Sequence, residues 1–83
     1  MSADTGKAGL GRLRWMCRRG MRELDVLLER WLAQHGPMAT AEELARFEAL
    51  LQWQDPDLVR YLIAGEIHAD SDLAALLQSI RGV

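Results

Sequence analysis

GMRELDVLLERWLAQHGP, Gly20 to Pro37, carries the strongest periodic signal in the chain. Met21, Leu24, Leu27, Leu28, Trp31 and Leu32 recur at i, i+3 and i+7 over three turns, with Glu23, Arg30 and Gln34 on the opposite side. The spacing predicts one amphipathic helix whose apolar stripe needs a surface to cover it. Gly36 suits the left-handed position just past a helix end, and Pro37 blocks continuation. With Gly20 before it, the segment is bracketed on both sides, so its neighbours are separate elements.

Working outward, Leu10, Leu13, Met16 and Cys17 keep helical spacing, which predicts a short helix from about Gly11 to Arg19, ended by Gly20. Downstream, Thr40 with Glu43 three residues later is a capping-box pattern, and Leu44, Phe47, Leu50 and Leu51 form the stripe of the helix it opens. In QDPDLVRYLIAG, Asp55 reads as an N-cap, Pro56 as the first helical position and Asp57 as a charge favoured at the positive helix end. Leu58, Tyr61 and Leu62 then face inward until Gly65. A last helix begins at Asp70 or Ser71 and buries Leu73, Leu76, Leu77 and Ile80. No segment alternates with period two. The fold class is therefore all-α, a small compact bundle of five short helices over residues 10–83, preceded by a flexible N-terminus at 1–9.

Size restricts function. A chain of 83 residues buries only about 60–65% of the surface its unfolded form exposes, and a pocket of a few hundred Å³ would consume much of so small a core. A surface-acting module is expected before an enzyme. No apolar run spans a bilayer and no signal-peptide pattern is present, so the expected place is the compartment of synthesis, without membrane insertion. The single cysteine, Cys17, cannot form an internal disulfide, and His35 and His68 are too far from it in sequence to suggest a metal site. Cys17 reads as a small buried hydrophobe, with a reactive thiol as the alternative if the neighbouring arginines face it in the open.

The net charge of −2 conceals a division. Ahead of Glu23, Lys7, Arg12, Arg14, Arg18, Arg19 and Arg22 stand against Asp4 alone, whereas the remainder is strongly acidic. Arg18, Arg19 and Arg22 crowd the glycine turn, where cations at a helix end gain a little from the dipole. An exposed Arg19–Glu23 pair is worth at most about 0.5 kcal/mol, which barely accounts for the cluster. Recognition accounts for it better, because guanidinium groups make bidentate bonds to carboxylates or phosphates and a glycine admits a second backbone. Trp15 and Trp53 offer aromatic area, although in a domain this small a tryptophan is more often core.

RGMRE, Arg19 to Glu23, matches the R-G-x-x-E motif of the succinate dehydrogenase assembly factors that promote flavinylation, and the surrounding WMCRRGMRELDVLL resembles that family closely. LLQWQDPDLVRYL, Leu50 to Leu62, resembles its second characteristic stretch. The resemblance runs from about Leu10 to Ile80. It implies a small helical protein that binds the flavoprotein subunit of succinate dehydrogenase, and in bacteria often that of fumarate reductase, and assists covalent attachment of FAD to a histidine of that subunit. On the same grounds it implies no catalysis of a separate reaction and no stably bound cofactor. Arg19, Gly20 and Glu23 would be the partner-binding motif, with Arg18, Asp55 and Asp57 in stretches the family shares. Relatives often carry a longer polar tail, and mitochondrial members a presequence for which this chain has no room, so a bacterial cytoplasmic protein is expected. A nucleic-acid binder would use the basic end but needs a broader basic face than the acidic remainder leaves. A small enzyme would need a triad or metal pattern that Glu23, His35 and His68 do not form.

Overall fold

The computed structural model describes residues 10–82. The five helices are α1 at 10–16, α2 at Arg22–His35, α3 at Ala41–Leu51, α4 at Asp55–Leu58 and α5 at Ser71–Arg81. A short 3₁₀ turn, Gly36–Met38, follows α2, and a π-helical segment, Val59–Ile63, extends α4. No strand occurs among the described residues. The expectation of a mobile 1–9 lies outside them.

One cluster forms the core. Leu13 and Cys17, Leu24, Leu28, Trp31 and Leu32 of α2, Phe47, Leu50 and Leu51 of α3, Leu58 and Leu62, and Leu77 and Ile80 of α5 are all buried together. The stripe read from α2 is thus the surface on which the other helices assemble, except that Met21 is exposed at the N-cap and Leu27 only partly buried. Trp31 stacks on Phe47 at 4.5 Å between ring centroids, and its indole N–H donates to Ser79 Oγ at 3.0 Å. The Arg30 guanidinium donates to the Ile80 carbonyl at 2.9 Å, closing the last turn of α5 onto α2.

The caps follow local chemistry. Thr40 and Glu43 form the reciprocal capping box, and Asp70 accepts from the amides of Asp72 and Leu73 at the start of α5. Gly82 ends α5 in the left-handed region at φ 83°.

Three boundaries differ from the sequence reading. The first helix stops at residue 16 instead of running to Arg19, because the Arg19 amide leaves the helical pattern and donates to a side chain of α2. Gly36 is right-handed, at φ −53°, and continues into the 3₁₀ turn. Space is tight there, since a Cβ would lie 3.0 Å from Leu32 Cδ1 and 3.2 Å from Leu10 Cδ2, and those side chains would have to shift by a few tenths of an ångström. The N-cap of α4 is Gln54, not Asp55, since Asp55 is already helical and its carboxylate is drawn elsewhere. Trp15 corrects the core expectation for tryptophan, being 72% exposed, while Trp53 is half-buried against Tyr61 and His68.

Candidate functional site

The turn between α1 and α2 is built around Arg19. Its side chain is only 16% exposed and reaches across to the α3–α4 connection. There each guanidinium nitrogen has an acceptor: Nε donates to Asp55 Oδ1, Nη1 to the Leu51 carbonyl at 2.9 Å, and Nη2 to the Trp53 carbonyl at 2.6 Å. The planar fork of an arginine suits this task, since its donors diverge at fixed angles toward separate acceptors. Leu51 lies in the last turn of α3, where helix carbonyls are left without intrahelical partners, so Arg19 also satisfies a helix end.

The backbone of the same residue is held from the other side. Arg19 N–H donates to Asp25 Oδ1 at 2.9 Å, and Asp25 lies in the first turns of α2. Gly20 follows at φ 82°, exposed, with no atom within 4 Å of where a Cβ would project. Its requirement for glycine is therefore backbone conformation and not crowding within this chain. Met21 then serves as the N-cap of α2 without a side-chain cap bond.

The sequence reading puts Arg19, Gly20 and Glu23 together in an exposed turn. The structure divides them. Gly20 and Glu23 are exposed, Glu23 in the first turn of α2 where a carboxylate is favoured by the helix dipole. Arg19 turns inward because three acceptors, one of them a half-buried carboxylate, await it there, more than an exposed partner across the turn could supply. Arg18 stays outside, its side chain 64% exposed and its Nε 3.9 Å from Glu29 Oε2. Asp55 joins Arg19 directly, which brings the two quoted motif stretches into one locus, and Asp57 lies exposed two residues farther on. Asp25 has no place among the sequence candidates. An acid in the first turns of a helix is ordinary, and only the three-dimensional path of residues 18–20 shows what it accepts.

Cys17 sits beneath this turn, fully buried. Burial pushes its thiol up to about 12, and Glu29 and Asp25 add to the rise more than Arg19 and Arg14 oppose it. It is a packed hydrophobe, and the reactive-thiolate alternative is excluded by its burial. His35 stacks on Trp31, and His68 Nδ1 accepts from the Asp70 amide. Among the described residues, no group of three or more His, Cys, Asp or Glu side chains is placed to hold a metal, and no helix is long and apolar enough to cross a membrane. A depression of about 310 Å³ lined by Trp31, His35, Met38, Glu43, Arg46 and Asp72 lies toward the far end of α2 and includes none of the motif residues.

Comparison with known proteins bears on the family of the chain. The family described as "Flavinator of succinate dehydrogenase" matches residues 11–83. A FAD assembly factor SdhE of Xylella fastidiosa (strain 9a5c) is 41% identical over 76 residues, covering 92% of this chain and 78% of the relative. One of Colwellia psychrerythraea is 38% identical over 79 residues, 95% of this chain and 87% of the relative, and one of Legionella pneumophila (strain Paris) is 39% identical over 70 residues, 84% and 87%. No solved structure matches. With the R-G-x-x-E turn locked onto the D-P-D-L stretch and relatives of this similarity across most of its length, the chain belongs to the succinate dehydrogenase flavinator family.

Proposed function

We propose that this protein is a FAD assembly factor that docks on the flavoprotein subunit of succinate dehydrogenase, and on that of fumarate reductase, in the bacterial cytoplasm, and promotes covalent attachment of FAD to that subunit. It turns over no substrate of its own and holds no cofactor stably; the flavin belongs to the partner. The contact surface is the exposed side of the α1–α2 turn, with Gly20 and Glu23 at its centre and Arg18 and Asp57 flanking. Arg19 and Asp55 contribute to binding by fixing the shape of that surface.

One observation carries the reading. The arginine of the motif is consumed by three acceptors on another part of the fold, while its glycine and glutamate are left facing outward. This inward lock serves the fold by joining the turn to the end of α3, and it also fixes the shape of the outward side. A turn ordered in this way before contact meets another protein at a lower entropy cost of binding. Left-handed Gly20 with open space around it offers the flat backbone that a second chain can approach closely.

The experiment is complementation of a bacterial strain lacking its own assembly factor, with covalent flavin on the succinate dehydrogenase flavoprotein subunit read by in-gel fluorescence. Wild-type protein restores the signal. Glu23→Ala fails to restore it although it costs no more than about 0.5 kcal/mol of stability, the scale of a lost charge at an exposed helix start. Full flavinylation by Glu23→Ala at wild-type expression level would remove Glu23 from the contact surface and overturn the site.

A further inference from the structure

We infer that Asp25 is a positioning residue for the R-G-x-x-E turn, closing a ring that holds Gly20 and Glu23 in the shape the partner recognises. The inference rests on the proposed function above and adds to it a residue outside the motif.

The geometry is unusual for a helix start. The helix opens at an N-cap, Met21, that makes no side-chain cap bond. In a capping box the carboxylate three residues into the helix reaches back to the cap residue itself. Here the carboxylate four residues past the cap reaches farther, to the amide two residues before it, Arg19 N–H at 2.9 Å. The bond therefore encloses residues 19–25, with Gly20 at φ 82° inside the ring. Glycine loses more conformational freedom on ordering than any other residue, so a ring closed around it removes the largest local entropy cost of docking.

Arg19 is thereby held twice. Its side chain is tied to Leu51, Trp53 and Asp55, and its main chain to α2. The two ties have different consequences. The side-chain tie joins α1 and α2 to the α3–α4 connection and belongs to the fold. The Asp25 tie lies within one turn, and α2 remains anchored without it through Leu24, Leu28, Trp31 and Leu32 in the core and Arg30 on the Ile80 carbonyl. What it decides is the path of residues 19–21.

Asp25→Ala removes the acceptor, and Asp25→Asn keeps an oxygen able to take the same bond. Amide hydrogen exchange and backbone NMR shifts are measured on both variants. The rate of covalent flavin formation is measured against concentration of the purified variant, using apo flavoprotein subunit with FAD. Asp25→Ala is expected to speed exchange at Arg19 by about tenfold or more, the scale of losing a hydrogen bond to a carboxylate, with α5 amides unaffected. It should need a several-fold higher protein concentration for half-maximal flavinylation, with the same plateau, because pre-organisation lowers the cost of binding and not the chemistry after it. Asp25→Asn should restore both readings. Unchanged Arg19 exchange in Asp25→Ala overturns the inference. So does faster exchange with an unshifted concentration dependence, and if Glu23→Ala still abolishes flavinylation in the same assay the proposed function survives that failure. Should Asp25→Ala not fold, Asp25→Asn decides, since its wild-type amide pattern with wild-type concentration dependence is required. A shift in concentration dependence despite a native amide pattern would assign Asp25 to direct contact and overturn positioning.

Discussion

Arg19 Nε and Asp55 Oδ1 form an ion pair between residues thirty-six apart, joining the two stretches of sequence on which the family resemblance was read. The pair belongs to a larger arrangement in which the guanidinium also satisfies the carbonyls of Leu51 and Trp53. Removing the arginine leaves a half-buried carboxylate and two carbonyls without their donor, whereas removing the aspartate leaves the arginine with two acceptors. Arg19→Ala should therefore destabilise by about 2 kcal/mol and Asp55→Ala by about 1 kcal/mol, discounted from the fully buried case because Asp55 keeps some contact with water. Chemical denaturation of both singles and the double variant measures the coupling. Additive losses would show that the pair has no interaction of its own. Arg19→Lys should not rescue, since one ammonium cannot reach three divergent acceptors.

Gly20 separates strain from contact. At φ 82° a Cβ costs about 1–2 kcal/mol for alanine and less for asparagine, which tolerates the left-handed region. The surrounding space is open, so no clash within this chain adds to that. Gly20→Asn should melt close to wild type yet lose flavinylation if the partner's backbone occupies that space. Retention of full activity by Gly20→Asn would limit the role of Gly20 to its conformation.

Cys17 makes stability fall in alkali. The folded chain holds the thiol proton up to about 12, against an ordinary value of 9.0. Above that ordinary value the unfolded chain binds fewer protons than the folded one, so unfolding is increasingly favoured as pH rises toward the folded value. Melting temperatures between about pH 8 and pH 11 should drop more steeply for wild type than for Cys17→Ala, which has no such group. Equal slopes would contradict the burial of Cys17.

Glu43 acts at the other end of the scale. The Thr40 amide at 2.9 Å, followed by the Thr40 hydroxyl, holds its carboxyl below the ordinary value of 4.5. A lowered acid contributes stability that is complete above the ordinary value and is lost as pH falls through the folded one. The gap in melting temperature between wild type and Glu43→Gln should accordingly narrow in acid. Thr40→Ala should cost about 1 kcal/mol at neutral pH by loss of the cap.

The existence and order of the helices are legible in neighbouring letters, because periodicity, a capping box and glycine stops act over a few residues, although the end of α1 and the start of α4 are not. The α2 stripe from Leu24 onward, the Thr40–Glu43 box, the Asp70 start and the burial of Leu58, Leu62, Leu77 and Ile80 were all legible in this way, whereas Met21, read as part of the stripe, is exposed. So was the family, since R-G-x-x-E and D-P-D-L survive as strings. What those strings do depends on how the chain packs. An arginine at a glycine turn is compatible with solvent, with an i+4 partner or with a distant acceptor, and the choice depends on where the end of α3 and the start of α4 arrive in space. Two of the three acceptors are backbone carbonyls, which no side-chain pattern encodes. Gly36 shows the same division, for its letter suggests a left-handed stop, while the structure has it right-handed with the side chains of Leu32 and Leu10 packed close to it. Local order is fixed by interactions between near neighbours in the chain; the site depends on hydrogen bonds between parts of the chain that become neighbours only when the core closes.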